Sequence, residues 1–333
     1  MPIQRTTTVP SASNPVTPEC DCYVHEFGSI APGRREAYCD TDMSDAEWAA
    51  VRASMPMPAW MESKGGRPEA HCHREMIDAV RYVVDNGAKW SSVPRDFPWW
   101  RAVYDFFRRW RAYGYVRELY QRLRRGDRVA RGRNAEPTAG VIDAQSVDGA
   151  DTVVESRGYD GNKKRDGRKR SILTDTCGDL LEVIVSPADV HGSKPAPALL
   201  DRYMTEPGRL LKLTWADSAC QGQPLADAFA RHGVTVEVVQ RPDGTRGFTV
   251  LARRWVVERT LGQLSLARRL NRDHERRPDH HEQMLWWAGL ITLTRPIAGE
   301  RRHWPDRRPG RHPLPQPPEQ ALLPLQPAFA CRA

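Results

Sequence analysis

Three acidic residues stand within or directly after apolar stretches of this sequence. Asp143 lies in VIDAQSV, Asp217 follows LTWA, and Glu258 lies in RRWVVERT. A carboxylate without a partner is costly in apolar surroundings, so acids at such places need a compensating charge. Carboxylate oxygens are hard ligands that suit Mg²⁺ or Mn²⁺. The three residues therefore predict a divalent-metal site, and two ions held there could catalyse phosphoryl transfer.

The pattern of residues 140–297 predicts elements that would bring these acids together. Strands and helices alternate in the order βββαβαβα, with a hairpin that turns near Gly178, which favours a mixed sheet flanked by helices. Asp143 lies inside the first strand and Asp217 ends the fourth, and a crossover connection can set these strands side by side. A helix over about 251–270 would carry Glu258, with Arg254 and Arg269 on the same face as supporting cations.

The charge balance favours a polyanionic partner. The chain has 50 Lys and Arg against 42 Asp and Glu, a formal net charge of +8, and nucleic acid is the simplest partner for that excess. A basic stretch follows the first predicted strand, beside the three acids. We expect it to contact DNA, although a solvated run of charge is the alternative. Its members are Lys163, Lys164, Arg165, Arg168, Lys169 and Arg170.

Residues 43–126 have the pattern of a small all-α domain that precedes the sheet. Ser44 and Glu47 form a capping-box pattern at the start of the first helix. In WWRAVYDFFRRWRAYG the aromatic residues form one stripe and four arginines lie off it. This is compatible with a helix-turn-helix-like DNA reader, or with an aromatic core and arginines that only solubilise it. The four arginines are Arg101, Arg108, Arg109 and Arg111.

The remaining segments carry weaker patterns. Residues 1–42 predict a flexible leader, residues 127–139 a linker, and residues 298–333 a disordered tail rich in Pro and Arg. The seven cysteines lack paired CxxC spacing, which favours reduced thiols over a structural zinc site. No apolar run is long enough to cross a membrane, and the N-terminus has no signal-like pattern. We therefore expect a cytoplasmic protein with no membrane association.

Several collinear phrases resemble bacterial insertion-sequence transposases of the DDE class, in the short-insert type of the insertion sequence four/five superfamily. They are VIDAQSV, GYDGNKKRDGRKRSILTDTCGDLL, WADSACQG and RPDGTRGFTVLARRWVVERT. The helical part is similar to that family's N-terminal domain in SDAEWAAV and VYDFFRRW. The resemblance covers roughly residues 43–297.

The resemblance implies an RNase H-like catalytic domain over residues 140–297, with Asp143, Asp217 and Glu258 as the catalytic and metal-binding triad. It also implies Arg254 as the basic residue four positions before the glutamate. The family's tyrosine and lysine, seven positions before and after that glutamate, are replaced here by Leu251 and Ser265.

The activity that the resemblance implies is cleavage of double-stranded DNA at terminal inverted repeats and joining of the 3′-hydroxyls to target DNA. Such enzymes act as dimers or larger assemblies on DNA, at the bacterial nucleoid. The same three acids would equally serve an RNase H-like nuclease without strand transfer. An inactive DNA-binding regulator derived from a transposase is a third alternative.

Overall fold

The N-terminal part of the chain is helical, as its periodicity predicts. The structure is a computed structural model that describes residues 20–27, 35–37, 39–62, 69–218, 222–239 and 253–299. Within them, the helices of this part are α1 (Tyr23–Glu26), α2 (Asp45–Ser54), α3 (Ala59–Glu62), α4 (His73–Asn86), α5 (Trp100–Ala112) and α6 (Tyr115–Ala130).

Local signals in the sequence fix several of these helix ends. The predicted capping box of α2 is confirmed, because the Ser44 side chain accepts the Glu47 N–H and the Glu47 carboxylate accepts the Ser44 N–H. Gly87 ends α4 with φ of 70°, and Gly114 separates α5 from α6 with φ of 70°. Glycine adopts this left-handed conformation without steric cost, so the chain can reverse there.

The second part is a mixed sheet, and the predicted fold class is confirmed. Its strands are β1 (Ala139–Asp148), β2 (Gly158–Asp160), β3 (Arg165–Asp175), β4 (Leu180–Pro187), β5 (Leu213–Ala216) and β6 (Thr235–Val238). Strand β1 is central, antiparallel to β3 and parallel to β5, and β5 continues in parallel to β6. Strands β4 and β2 both pair with β3.

Helices cover both faces of this sheet. They are α7 (Pro195–Met204), α8 (Gln223–Ala230), α9 (Trp255–Leu264) and α10 (Pro278–Ile297). Side chains alternate along a strand, so Val141 packs towards α9, α10 and the N-terminal helices, while Ile142 packs towards α7 and α8. The sheet is therefore buried between two apolar layers.

The N-terminal helices are not a separate unit beside this sheet. Buried residues of α2, α4, α5 and α6 form one continuous apolar core with β1, β3, β4, α9 and α10. A buried polar network also joins the two parts. Arg81 pairs with Glu47 at 2.9 Å, and Thr294 of α10 donates to the same carboxylate at 2.6 Å.

Two predicted boundaries need correction. The flexible-leader prediction is wrong for residues 20–27 and 39–42, because Cys20, Cys22 and Val24 are buried in that shared core and Thr41 accepts a hydrogen bond from Arg81. The linker begins later than predicted, since α6 continues to Ala130. Residues 300–333, most of the predicted tail, lie outside the described residues.

No helix in the described part of the chain is long and apolar enough to cross a membrane.

Candidate active site

The sheet register brings Asp143 and Asp217 together. Val141 of β1 pairs with Trp215 of β5, an offset of 215 − 141 = 74, and Asp143 and Asp217 have the same offset, 217 − 143 = 74. Adjacent strands lie about 4.8 Å apart, and residues two apart share a face. Asp143 therefore projects from the face on which α9 packs, and Asp217 lies directly beyond the end of β5. Together they line a cavity of about 220 Å³.

Asp143 is largely buried. Its side chain is 13% exposed, and its Oδ1 accepts the backbone N–H of Ala144 at 2.7 Å. Burial raises the pKa of Asp143, as does the negative charge of Asp217, whereas the Ala144 N–H and the Arg254 guanidinium act in the opposite direction. A positive charge placed here would favour the ionised carboxylate.

Arg254 connects Asp143 to Glu258. It stands directly before α9, and its guanidinium lies 3.4 Å from Asp143 and 3.8 Å from Glu258. Glu258 occupies the first turn of α9, where the helix dipole favours an acid, and its side chain is 44% exposed. The structure thus brings Asp143 and Asp217 to one cavity and connects Asp143 to Glu258 through Arg254, whereas Glu258 is not among the residues that line the cavity.

This donor set fits a hard divalent cation. Three carboxylates near one another repel unless positive charge compensates them, and one guanidinium already lies between two of them. Their oxygens are not all within 4.8 Å of one another, as a complete protein cage would require. Mg²⁺ commonly binds through few carboxylates and retains water and substrate oxygens. The arrangement therefore suits an ion shared with a phosphate.

The turn after β2 forms one wall of the cavity. Asp160 is buried there and accepts the Ser146 hydroxyl at 2.6 Å and the N–H of Lys163 at 3.1 Å. Burial acts to raise the pKa of Asp160, but these hydrogen bonds and the charge of Lys169 lower it to about 2. Asp160 is thus an ionised anchor for the turn. It presents the exposed Lys163, whose Nζ donates to Ala144 O at 2.8 Å beside Asp143.

Half of the predicted basic stretch lies inside the protein, so its prediction as a DNA-contacting loop is wrong there. Residues 165–175 form strand β3 rather than a loop, and Arg168, Lys169 and Arg170 are buried. Arg168 pairs with Asp273 at 2.8 Å, Lys169 donates to Val190 O, and Arg170 donates to His281 and Leu270. Lys163, Lys164 and Arg165 remain exposed.

Arg269 also lies away from the acids. The predicted long helix stops at Leu264, and residues Arg268–Leu270 form a separate 3-10 turn. The helical face that would have aligned Arg269 with Glu258 therefore does not continue. Arg269 is buried and binds Glu275 at 2.7 Å and Ala88 O at 3.0 Å. Leu251 lies outside the described residues.

The arginines of α5 line a second concave surface. Arg101, Arg108 and Arg109 are exposed, whereas Arg111 is half-buried and pairs with Asp279. Together with Trp99 and Tyr113, whose rings are also exposed, they border a groove of about 780 Å³. We call it the α5 groove. The aromatic stripe itself is largely core, as the alternative predicted, since Val103, Phe107 and Trp110 are fully buried.

Two family models match the chain. Residues 43–120 match one described as a transposase of the IS4/5 family, and residues 134–294 match one described as a transposase DDE domain. No curated protein matches the chain significantly. The two ranges cover helices α2 to α5 and the sheet with its three acids, and the mixed sheet flanked by helices is consistent with an RNase H-like fold. The chain belongs to the DDE transposases of the IS4/5 family.

Proposed function

We propose that this transposase binds the terminal inverted repeats of an insertion sequence, cleaves the ends and joins their 3′-hydroxyls to target DNA. One observation carries the proposal. Asp143 lies in β1 and Asp217 directly follows the parallel neighbour β5, and Arg254 links Asp143 to Glu258. Asp143 and Asp217 line one cavity, in a chain of net charge +8. Such a site is suited to phosphoryl transfer on a polyanion.

The DDE domain implies dependence on a divalent metal. We propose Mg²⁺ or Mn²⁺, with two ions held by Asp143, Asp217 and Glu258. When bound, such ions lower the pKa of an attacking water or 3′-hydroxyl and neutralise charge on the phosphodiester. The charge of Arg254 acts to lower the pKa of Asp143, and its guanidinium is a suitable donor to a phosphate oxygen. Lys163 lines the same cavity and offers a second cation for the DNA backbone.

Two surfaces are proposed to hold DNA. The turn with Lys163, Lys164 and Arg165 borders the cavity, so it would contact phosphates next to the scissile bond. The α5 groove combines exposed arginines with exposed aromatic rings, a combination that binds both phosphates and bases. We assign the terminal repeat to this groove, with Arg101, Arg108 and Arg109 as its phosphate contacts and Arg111 at its edge.

A strand-transfer assay tests the reaction. The substrate is a duplex that carries the inverted repeat found beside the gene, labelled at the transferred strand, with Mg²⁺ and a plasmid target. We expect a nick at the 3′ end of the repeat and a labelled product joined to the plasmid. Cleavage without a joined product would favour the nuclease alternative. Specific binding with neither product would favour the inactive regulator.

A binding titration tests the α5 groove separately. The double variant Arg108→Gln with Arg109→Gln should weaken binding to the repeat and reduce the slope of log K against log [salt] by about 1 for each phosphate that the variant no longer neutralises. Arg122→Gln is the matched control, because Arg122 is an exposed helical arginine on α6 paired with Glu118. An unchanged slope in the double variant would remove the groove from the proposed interface.

We further propose that the protein acts as a dimer or larger assembly on paired ends, at the bacterial nucleoid. Light scattering coupled to gel filtration, with and without the repeat duplex, measures the assembly. A mass of one chain per duplex at every concentration would contradict it.

A further inference from the structure

Three cysteines and a histidine meet between the N-terminal segment and the start of α4. Cys20, Cys22 and Cys72 are buried, and His25 is half-buried in α1. Cys72 directly precedes α4. It is 47 residues from His25 along the chain (72 − 25 = 47). One ligand atom from each of the four residues lies within 4.8 Å of all the others. The fold has therefore gathered four metal-ligating side chains from two distant segments.

The distances within this cluster match the edges of a tetrahedron around one ion. Zn²⁺ with Zn–S of about 2.3 Å and Zn–N of about 2.0 Å sets two sulfurs about 3.8 Å apart and a sulfur and a nitrogen about 3.5 Å apart. The Cys22 and Cys72 sulfurs lie 3.8 Å apart, and the Cys72 and Cys20 sulfurs 3.5 Å apart. Cys22 Sγ lies 3.3 Å from His25 Nδ1. A disulfide would need about 2.05 Å between two sulfurs.

The cluster lies in the protein interior. Cys20, Cys22 and Cys72 are buried, and a buried set of thiolates needs a cation to neutralise its charge.

We propose that Cys20, Cys22, His25 and Cys72 bind a structural zinc ion. Three sulfurs and one imidazole form a closed, soft-ligand set of the kind that holds structural zinc. This site differs in ligand chemistry from the carboxylates of Asp143, Asp217 and Glu258, which suit hard cations. The two sites would therefore take different metals in the same chain.

The zinc ion would fasten the N-terminal segment to α4. Helix α1 has only four residues, too few to be stable alone. Most other contacts of the segment are with α2. Tyr23 donates to Met55 O at 2.9 Å, Trp48 donates to Asp21 at 2.6 Å, and Arg52 stacks over Tyr23 at 3.9 Å. The Tyr23 ring meets the His73 ring of α4 edge-on at 6.3 Å, and zinc would add coordinate bonds to this contact with α4.

Metal analysis of the full chain tests the proposal. The protein is produced with zinc in the medium, freed of any affinity tag, desalted and analysed by mass spectrometry for metals. We expect about one zinc per chain, and Co²⁺ added to the zinc-free protein should give the intense visible bands of tetrahedral thiolate coordination. Less than about a tenth of an equivalent of zinc, with no such bands, would overturn the proposal.

Variants assign the ligands. Cys22→Ser and Cys72→Ser should each reduce the zinc content about fivefold or more, since structural sites use all four ligands. Cys39→Ser is the matched control, because Cys39 lies in the same part of the chain but outside the cluster. Asp143→Asn should also retain zinc, which separates this site from the acidic one. A Cys20–Cys72 or Cys22–Cys72 disulfide in peptide maps of the fresh wild-type protein would overturn the assignment without any variant.

Discussion

Replacing Arg168 by methionine should destabilise the protein and leave the salt dependence of DNA binding unchanged. Arg168 belongs to the basic stretch that the sequence assigns to DNA, yet its side chain is fully buried. It pairs with Asp273 at 2.8 Å and donates to Glu275 O at 2.7 Å and Arg276 O at 2.9 Å. A residue with every donor directed inwards cannot reach a phosphate.

The expected loss of stability follows from the buried carboxylate that the substitution leaves without its arginine. Asp273 is also fully buried, and removing one partner of a buried ion pair costs about 3–5 kcal/mol. His281 lies 2.9 Å from Asp273 and would retain part of the compensation, so the lower half of this range is expected. For a chain of 333 residues that corresponds to a decrease in melting temperature of roughly 4–6 °C.

Thermal unfolding and DNA titrations at several salt concentrations measure the two effects together. The matched control is Lys163→Gln, an exposed residue of the same stretch. It should change the free energy of unfolding by less than about 0.5 kcal/mol but reduce the salt slope by about 1. If Arg168→Met kept the wild-type melting temperature and reduced the salt slope, our description of β3 would be wrong.

Three further predictions concern the protonation of Asp78, the charge of Arg254 and the packing around Gly289. Burial raises the pKa of Asp78 from its ordinary 3.8 to about 7. The folded protein therefore binds more protons than the unfolded chain between these values, and the free energy of unfolding falls as the pH rises through them. Asp78→Asn should reduce this fall, which urea titrations at about pH 5 and pH 8 measure. A fall as large as that of the wild type would contradict the prediction. Arg254→Gln should slow cleavage roughly 100-fold, while Arg254→Lys, which keeps the positive charge, should recover part of the rate. Equal cleavage rates in the two variants would contradict a role for the positive charge at this position. In α10, a Cβ on Gly289 would lie 2.9 Å from Leu180 Cδ1, so Gly289→Val should cost about 1–3 kcal/mol, whereas Gly262→Val, in open space on α9, should be nearly neutral in the same denaturant titration.

Local signals made much of the fold predictable. The capping box at Ser44, the hairpin near Gly178 and the parallel pairing of the strands that carry Asp143 and Asp217 all depend on short-range patterns and simple connection rules. The register of β1 and β5 then aligns the two acids. The two acids are 74 residues apart in sequence, which equals the offset between paired residues of β1 and β5. Because side chains alternate along a strand, this spacing becomes informative only once the pairing of the two strands is known.

The wrong predictions concern places where burial depends on distant parts of the chain. The basic stretch looks like a solvated loop until α10 and the segment before it cover one side of β3 and supply Asp273 and His281 as partners. The sequence predicts Arg269 on the Glu258 face because the helical spacing of residues 254–269 continues past Leu264, where α9 ends. Tertiary contacts override local propensity at both places.

The cysteine cluster escapes prediction for the same reason. The sequence has C-x-C-x-x-H at Cys20 to His25, but the fourth ligand, Cys72, comes from another segment and completes no standard spacing. Polar residues around Cys20 make the segment resemble a leader. Only the packing of α1 against α2 and α4 shows that these residues form part of the core.

The most direct test of the acidic site is metal-dependent cleavage by three single variants. Asp143→Asn, Asp217→Asn and Glu258→Gln keep the side-chain size and remove one charge each. Our interpretation predicts that each variant binds the repeat duplex normally, keeps its folded structure and cleaves at least about 1,000-fold more slowly than wild type in Mg²⁺. Glu155→Gln, an exposed carboxylate after β1, is the control and should cleave at the wild-type rate. Near-normal cleavage by any of the three folded variants would contradict the assignment of that residue to the catalytic triad.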